Sequence, residues 1–162
     1  PLELPISEDE LRRSKQFYSI LQGKVWADIG SGLSGTLRLL KDYAKISHGV
    51  EPQNAPRELI NKIEKIKIFK DINELEDNFY DVITLFHVFE HFSDPISNLI
   101  TLKKKLAKNG KLIIEVPHAR DALITLYNNA SFRDFTFWSE HLILHTRESL
   151  KQFLNVAGFN DI

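Results

Sequence analysis

A group of glycines and one glutamate in the first third of the chain could bind a charged cofactor. Gly30, Gly32 and Gly35 follow the pattern G-x-G-x-x-G, with Ser31 between the first two. Glycines at this spacing let backbone N–H groups approach a ligand closely, and a helix that begins after them adds a positive dipole end. Glu51 lies 21 residues after Gly30, a separation at which an acid can accept both hydroxyls of a ribose. The two features together predict a site for an adenosine-type cofactor.

Asp28 distinguishes between two kinds of cofactor. It lies two residues before Gly30, beside the glycine loop. A carboxylate at that place would repel a pyrophosphate but attract a cationic amine or sulfonium. The charge therefore favours S-adenosylmethionine over NAD, and an NAD-dependent oxidoreductase stays open as an alternative.

Length and composition narrow the class of protein. The chain has 162 residues, a net charge of −1 and no cysteine, and its longest basic run is Lys103–Lys105. This charge balance does not indicate a basic surface that binds nucleic acid. Without cysteine, a thiolate zinc site and a cysteine nucleophile are excluded. The apolar runs are far shorter than the roughly 20 residues of a membrane span, and no signal-peptide pattern opens the chain. We expect one domain over residues 1–162, in the cytoplasm, that binds neither nucleic acid nor a membrane.

The hydrophobic pattern alternates between strands and helices. Apolar runs predict strands at 24–30, 45–50, 66–69, 79–86 and 111–117. Helical spacing and capping residues predict helices at 7–23, 33–44, 56–62, 94–106 and 146–158. This alternation predicts an α/β, Rossmann-like, open and mainly parallel sheet in the order 3-2-1-4-5, flanked by helices. At most the start of a sixth strand is present at the C-terminal end, so we expect a truncated sheet edge there.

Several segments together resemble the class I S-adenosylmethionine-dependent methyltransferases of the small-molecule type. The likeness begins with Ala27-Asp-Ile-Gly-Ser-Gly32 and continues through Val50-Glu51-Pro52. It includes an E-H-x-x-D-P segment at 90–95 and an E-H-L segment at 140–142. The remaining parts lie at 79–89, 110–117, 149–150 and 157–159. The pieces follow the family's order over about residues 24–159.

The resemblance implies a cofactor role for individual residues. Asp28 and the loop Gly30–Gly32 would hold the methionine part of the cofactor, and Glu51 would hold its ribose. The residues expected near the adenine or the sulfonium are Pro52 and Gln53 beside the adenine, Asp71 and Ile72 at the adenine ring, and Phe86 and His87 near the sulfonium. As an alternative, Asp71 caps a helix or is an exposed loop acid.

Histidines after the fourth and fifth strands are candidates for a general base. Methyl transfer is an in-line displacement, so a base is needed only where the acceptor must lose a proton. His91 is the leading candidate because imidazole titrates near neutral pH, and His118 and His141 are the other candidates. The alternative is a structural His91 that caps the next helix together with Glu90.

The segment His87-Val-Phe-Glu90-His91 also spells H-x-x-E-H, a zinc-peptidase pattern that requires a helix. A buried strand precedes it and Asp94-Pro95 follows almost at once, which leaves barely one turn. The sequence therefore argues against a peptidase. We predict a site without metal, and a divalent ion that orients substrate oxygens stays open as an alternative.

Aromatic and charged residues alternate between the fifth strand and the last helix. The aromatic ones are Phe132, Phe135, Phe137 and Trp138. They could cover an acceptor pocket, or they could form a packing cluster or a dimer contact. The resemblance to relatives with the E-H-L segment implies a small-molecule acceptor such as a sugar or a surface-glycan precursor. A non-catalytic methyltransferase-like binding module is the remaining alternative, and the oligomeric state stays open.

Overall fold

The computed structural model describes residues 4–63 and 66–162 of the chain. Its strands form a five-stranded sheet in the order β3-β2-β1-β4-β5. They are β1 (Val25–Ile29), β2 (Ile46–Val50), β3 (Lys67–Phe69), β4 (Tyr80–Phe86) and β5 (Leu106–Glu115). β1 pairs in parallel with both β2 and β4, and β2 pairs in parallel with β3. The predicted Rossmann-like, mainly parallel sheet is thereby confirmed.

β1 is central in the sheet, and each of its residues is buried. β4 is buried along almost its whole length. Strands covered on both faces consist of nearly continuous apolar residues, which is why these two could be recognised in the sequence. Ile29 lies opposite Val50 in the parallel register, so the strand ends that precede Gly30 and Glu51 are neighbours.

Residues 4–63 and 66–162 contain seven helices, most of which begin after a capping residue. They are α1 (Glu8–Leu21), α2 (Gly35–Leu40), α3 (Asn54–Ile63), α4 (Pro95–Lys105), α5 (Ala122–Thr125), α6 (Ala130–Thr136) and α7 (Arg147–Val156). Five of the seven, α1 and α4–α7, begin at a residue whose side chain accepts a backbone N–H of the first turn. The hydroxyl of Ser7 accepts the N–H of Glu10, and the Glu10 carboxylate accepts the N–H of Ser7, which closes a capping box. Thr146 and Ser149 form a similar pair at α7. In the described part of the chain, no helix combines the length and apolarity needed to cross a membrane.

Several elements differ from the sequence prediction: α5 and α6 were not predicted, and α2, α4 and β5 have other bounds. α2 ends at Leu40 instead of Ala44: the N–H of Tyr43 donates to the Leu40 carbonyl in a tighter turn, and the Tyr43 carbonyl accepts the N–H of Gly23. α4 ends at Lys105, whose carbonyl accepts the N–H of Phe79, and β5 begins directly after it. Compared with the predicted strand at 111–117, β5 begins earlier, at Leu106, and also ends earlier, at Glu115. Residues 159–162 form no strand.

The chain groups into two compact units. The first consists of Pro1–Leu85 and Lys104–Ile113, and the second of Phe86–Lys103 and Ile114–Ile162. The first unit contains the glycine loop and Glu51, and the second contains the candidate histidines. The expectation of one domain over the whole chain stays a prediction.

Replacing Gly49 by alanine is expected to lower the free energy of unfolding by about 1–3 kcal/mol. A Cβ at this position in β2 would lie 2.5–2.9 Å from side-chain atoms of Ile68, Ser31 and Leu37. Urea unfolding measures the effect. The matched control is Ser47→Ala in the same strand, which removes a buried hydroxyl without a hydrogen-bond partner among the described residues. That control should leave the stability unchanged or slightly raised, whereas an unchanged midpoint for Gly49→Ala would show that its neighbours yield freely.

Candidate functional site

The loop between β1 and α2 turns on glycines with left-handed backbone angles. Gly30 has a φ of 67° and Gly32 a φ of 52°, values that glycine adopts without steric cost. The N–H groups of Gly30 and Ser31 donate to the Val50 carbonyl at 2.7 and 3.0 Å. A Cβ on Gly32 would meet nothing within 4 Å. The loop is therefore fixed to the end of β2, while the space beside Gly32 is open.

Glu51 is connected to the same loop by its buried side chain. Its Oε2 accepts the N–H of Gly32 at 2.8 Å, and its Oε1 accepts the N–H of Gln53 at 2.8 Å. Each carboxylate oxygen has a second lone-pair site. Glu51 can therefore accept two hydroxyl donors, such as a ribose diol, and still keep its bonds to the loop.

Asp28 belongs to a buried chain of hydrogen bonds. The Thr84 hydroxyl donates to Asp28 Oδ1 at 2.6 Å, and the indole N–H of Trp26 donates to Thr84 at 2.9 Å. Burial raises the pKa of Asp28 to about 7, although the Thr84 hydrogen bond and the charge of Arg13 lower it. The sequence predicted a fixed negative charge at Asp28. With this pKa, the Asp28 carboxyl instead binds and releases a proton near neutral pH.

α1 contributes two charges that sequence reasoning did not assign to this site. The Glu10 carboxylate lies against Gly35, at the position that a Cβ there would occupy. The buried Arg13 lowers the pKa of Asp28, whereas Glu10 raises it. The spacing of three residues places both side chains on one side of α1, but no sequence signal placed α1 beside the glycine loop.

The residues predicted near the adenine lie in the first unit, which also contains the glycine loop and Glu51. Pro52 is exposed, directly after Glu51. Asp71 is exposed, and its Oδ1 accepts the backbone N–H of Asn73 at 2.8 Å and the side-chain amide of Asn73 at 2.6 Å. It therefore caps the short turn that begins with the buried Ile72. The adenine contacts of these residues stay a prediction.

Phe86 and His87 begin the second unit. Phe86 is buried at the end of β4. His87 has a φ of 55°, a strained value for a residue other than glycine. Its Nδ1 lies 3.4 Å from Glu90 Oε1, and its Nε2 lies 3.3 Å from Glu115 Oε1. The imidazole thus lies between two carboxylates, and its place near the sulfonium stays a prediction.

His91 and His141 are neighbours in the second unit, with ring centroids 5.0 Å apart. His91 Nδ1 lies 2.7 Å from the Glu140 carbonyl oxygen, and His141 Nδ1 lies 2.8 Å from the Thr136 carbonyl oxygen. Because a carbonyl oxygen only accepts, each Nδ1 carries a proton and each Nε2 of the neutral ring keeps a lone pair. In the neutral ring of each histidine, Nε2 is therefore the nitrogen that can accept a proton.

Glu90 connects the E-H-x-x-D-P segment to the E-H-L segment. Its backbone carbonyl accepts the N–H groups of Leu142 at 2.9 Å and Ile143 at 3.2 Å. A carboxylate oxygen of Glu90 and one ring nitrogen from each of His91 and His141 lie within 4.8 Å of one another. Two of the segments that carry the sequence resemblance are thus in contact.

His118, the third candidate base, has other neighbours. It is exposed and forms an isolated parallel bridge with His145. Its Nδ1 accepts the N–H of Arg120 at 3.1 Å, so the proton of the neutral ring lies on Nε2. The structure therefore brings His91 and His141 together and pairs His118 with His145.

The sheet order, the glycine loop after β1 and the acid after β2 define a Rossmann-like domain of the kind that binds an adenosine cofactor. The sequence also matches, over residues 7–162, the profile of a family described as a methyltransferase domain. The chain belongs to this methyltransferase family, and the predicted class I S-adenosylmethionine-dependent methyltransferase is confirmed.

Solved structures with this fold include methyltransferases. A S-adenosylmethionine-dependent methyltransferase from Archaeoglobus fulgidus has 25% sequence identity and a TM-score of 0.69, covering 94% of this chain and 68% of its own. A possible histamine N-methyltransferase from Thermotoga maritima has 22% identity and a TM-score of 0.74, covering 94% and 72%. The Haemonchus contortus phosphoethanolamine N-methyltransferase 2, solved with S-adenosylmethionine, has 21% identity and a TM-score of 0.70, covering 94% and 37%.

A search of curated proteins finds no match to this chain. Membership of the methyltransferase family leaves the oxidoreductase alternative without support.

Proposed function

We propose that this chain methylates a small polar acceptor, with a sugar or a surface-glycan precursor as the favoured class. S-adenosylmethionine, when bound, supplies a methyl group on a positively charged sulfur. The residues of the first unit fit this cofactor, because Glu51 can accept the ribose hydroxyls and the space beside Gly32 is open. Asp28 offers the negative charge that attracts the cationic end of the cofactor.

The observation that supports the acceptor class is a pair of exposed aromatic rings beside a candidate base. Phe135 is 55% exposed and Trp138 is 51% exposed. Their ring centroids lie 5.8 and 6.0 Å from that of His141, both in edge-on geometry. Aromatic rings pack against the apolar face of a flat or sugar ring, and an imidazole Nε2 accepts a hydroxyl proton. This pairing suits an acceptor that is a ring bearing hydroxyl groups.

The histidines are proposed to act on the proton of the acceptor. Most of the rate in an in-line displacement comes from alignment, so the base contributes only where the attacking atom is protonated. His91 and His141 both present an Nε2 lone pair. His118 stays a further candidate on sequence grounds alone.

The test is turnover with S-adenosylmethionine carrying an isotope-labelled methyl group. The panel contains nucleotide sugars and oligosaccharides, with small amines, transfer RNA and peptides for contrast. Labelled product from a sugar acceptor would support the proposal, whereas methylation of RNA or peptide alone would contradict it. Tight cofactor binding without turnover on any acceptor would favour the non-catalytic module instead.

Replacing Trp138 by alanine is expected to raise the KM for the acceptor by up to about tenfold and to leave kcat within about twofold. The reason is that ring packing contributes to acceptor binding in the ground state and the transition state alike. Steady-state kinetics measure both constants. The matched control is Tyr127→Ala, since Tyr127 is a 73% exposed aromatic residue of the same unit. A lower kcat at unchanged KM would show that Trp138 affects the reaction step instead.

A further inference from the structure

Glu90 is a buried acid, and the imidazoles of His87 and His145 are among its ionisable neighbours. Its side chain is 0% exposed, and neither carboxylate oxygen has a hydrogen-bond partner among the described residues. The imidazole of His87 is within ion-pair distance of one oxygen, at 3.4 Å, and it also faces Glu115. A buried carboxylate is strongly disfavoured unless a cation or several donors compensate its charge. The surroundings of Glu90 therefore favour the binding of a positive charge.

The two neighbouring histidines add electron donors to the same cluster. Each uses its Nδ1 proton for a backbone carbonyl, so each has only the Nε2 lone pair left for the cluster. A carboxylate and two imidazole lone pairs offer no proton to one another. Because all three groups present lone pairs, placing them close together is favourable when a cation lies between them.

We infer that Glu90, His91 and His141 bind one divalent transition-metal ion, with Zn²⁺ and Co²⁺ as suitable ions. One carboxylate oxygen of Glu90 and one ring nitrogen of each histidine lie within 4.8 Å of one another. Atoms bound to one ion at about 2.0–2.1 Å are separated by at most about 4.2 Å, so small side-chain rotations complete the site. Imidazole ligands favour these ions over Mg²⁺ and Ca²⁺, which prefer oxygen.

The groups around the three ligands also fit a metal site. Metal-binding histidines commonly donate the other ring N–H to a backbone carbonyl or a carboxylate, which fixes the ring. His91 and His141 do so with Glu140 and Thr136. This inference revises the sequence expectation of a site without metal, and the backbone bonds between Glu90 and residues 142–143 are what make the cluster possible.

Three protein ligands leave further positions on the ion for other oxygen donors. If the proposed function holds, those positions take oxygen atoms of the acceptor. A bound ion makes a coordinated hydroxyl easier to ionise. An Nε2 lone pair that binds the ion cannot also accept a proton, so the base role proposed above for His91 and His141 applies only to the protein without metal.

The experiment titrates the full-length, tag-free and chelator-treated protein with Co²⁺, Zn²⁺ and Mg²⁺ separately. Visible absorption follows Co²⁺, and calorimetry follows the other two ions. We expect one equivalent of Co²⁺ or Zn²⁺ to bind, with Mg²⁺ much weaker. Glu90→Gln and His141→Ala should each weaken binding by about 100-fold or more, whereas His118→Ala should stay within about threefold. His118 is the matched control because it is exposed and lies outside the triplet.

Wild-type affinity in both variants, or no saturable binding by the unchanged protein, would overturn the inference. Circular dichroism and S-adenosylhomocysteine binding check that the variants fold. If the homocysteine derivative binds and an acceptor is methylated but no metal binds, only the metal inference fails. If metal binds but no acceptor is methylated, the proposed function fails and the metal site stands.

Discussion

The Glu51→Ala variant is expected to bind S-adenosylhomocysteine about 100-fold more weakly than the unchanged protein. The variant loses a buried carboxylate that can accept ribose hydroxyls. It also loses the two bonds that hold the N–H groups of Gly32 and Gln53. Hydrogen bonds to charged groups contribute about 1.5–3 kcal/mol each. Losing the two bonds from the ribose hydroxyls to the Glu51 carboxylate is therefore expected to have an effect of this order. Isothermal titration calorimetry measures the affinity.

Glu58→Ala is the matched control for this variant. Glu58 is an exposed glutamate in α3, seven residues further along the chain. Its loss should leave the affinity unchanged. Equal affinities of Glu51→Ala and the unchanged protein would place the cofactor away from the glycine loop and remove the support for the assigned ribose contact.

Replacing Asp28 by asparagine is expected to change stability and cofactor binding in opposite directions. Burial raises the pKa of Asp28 from 3.8 to about 7 in the folded protein. The folded protein therefore keeps this proton between pH 4 and 7 while the unfolded chain releases it, so the unfolding free energy contributed by Asp28 falls with rising pH. Asparagine cannot ionise. The variant should gain stability relative to the unchanged protein over this range and keep the gain above pH 7, on the order of a few kcal/mol.

Cofactor binding by the unchanged protein should strengthen as Asp28 ionises. The affinity for S-adenosylhomocysteine is expected to rise by up to about tenfold per pH unit between pH 5.5 and 7 and to level off above. Asp28→Asn should bind weakly at all of these pH values because its side chain carries no charge. Calorimetry at several pH values and thermal unfolding measure the two effects.

The exposed Asp42 offers a matched control for the pH experiment. Asp42→Asn should keep both the stability profile and the binding profile of the unchanged protein. If the affinity of the unchanged protein and that of Asp28→Asn are both independent of pH, the Asp28 carboxylate does not interact with the charge of the cofactor.

The fold and the cofactor loop could be predicted because their signals are local in the sequence. Apolar runs identified β1 and β4, and the glycines with Glu51 marked the end of two neighbouring strands. The length of α2 could not be predicted, since the apolar spacing continues through the turns that follow Leu40. The start of β5 likewise depends on backbone bonds between α4 and the residues before β4.

The chemistry of individual side chains required contacts between distant parts of the chain. The sequence placed Asp28 beside the loop, but burial raises its pKa, and a hydrogen bond from Thr84, 56 residues away, opposes that rise. His91 and His141 were separate candidates in the sequence. Their pairing depends on backbone bonds from Glu90 to the segment at 142–143, which no local pattern reveals.

The hydrogen bonds from Trp26 through Thr84 to Asp28 give the protein a built-in optical reporter. The indole is 0% exposed, and its donor group is coupled through one hydroxyl to the carboxylate that ionises near neutral pH. The only other tryptophan, Trp138, is half exposed. Emission from the shielded indole should therefore change with the charge of Asp28, so that an unlabelled sample can report the ionisation of this carboxylate by its own fluorescence.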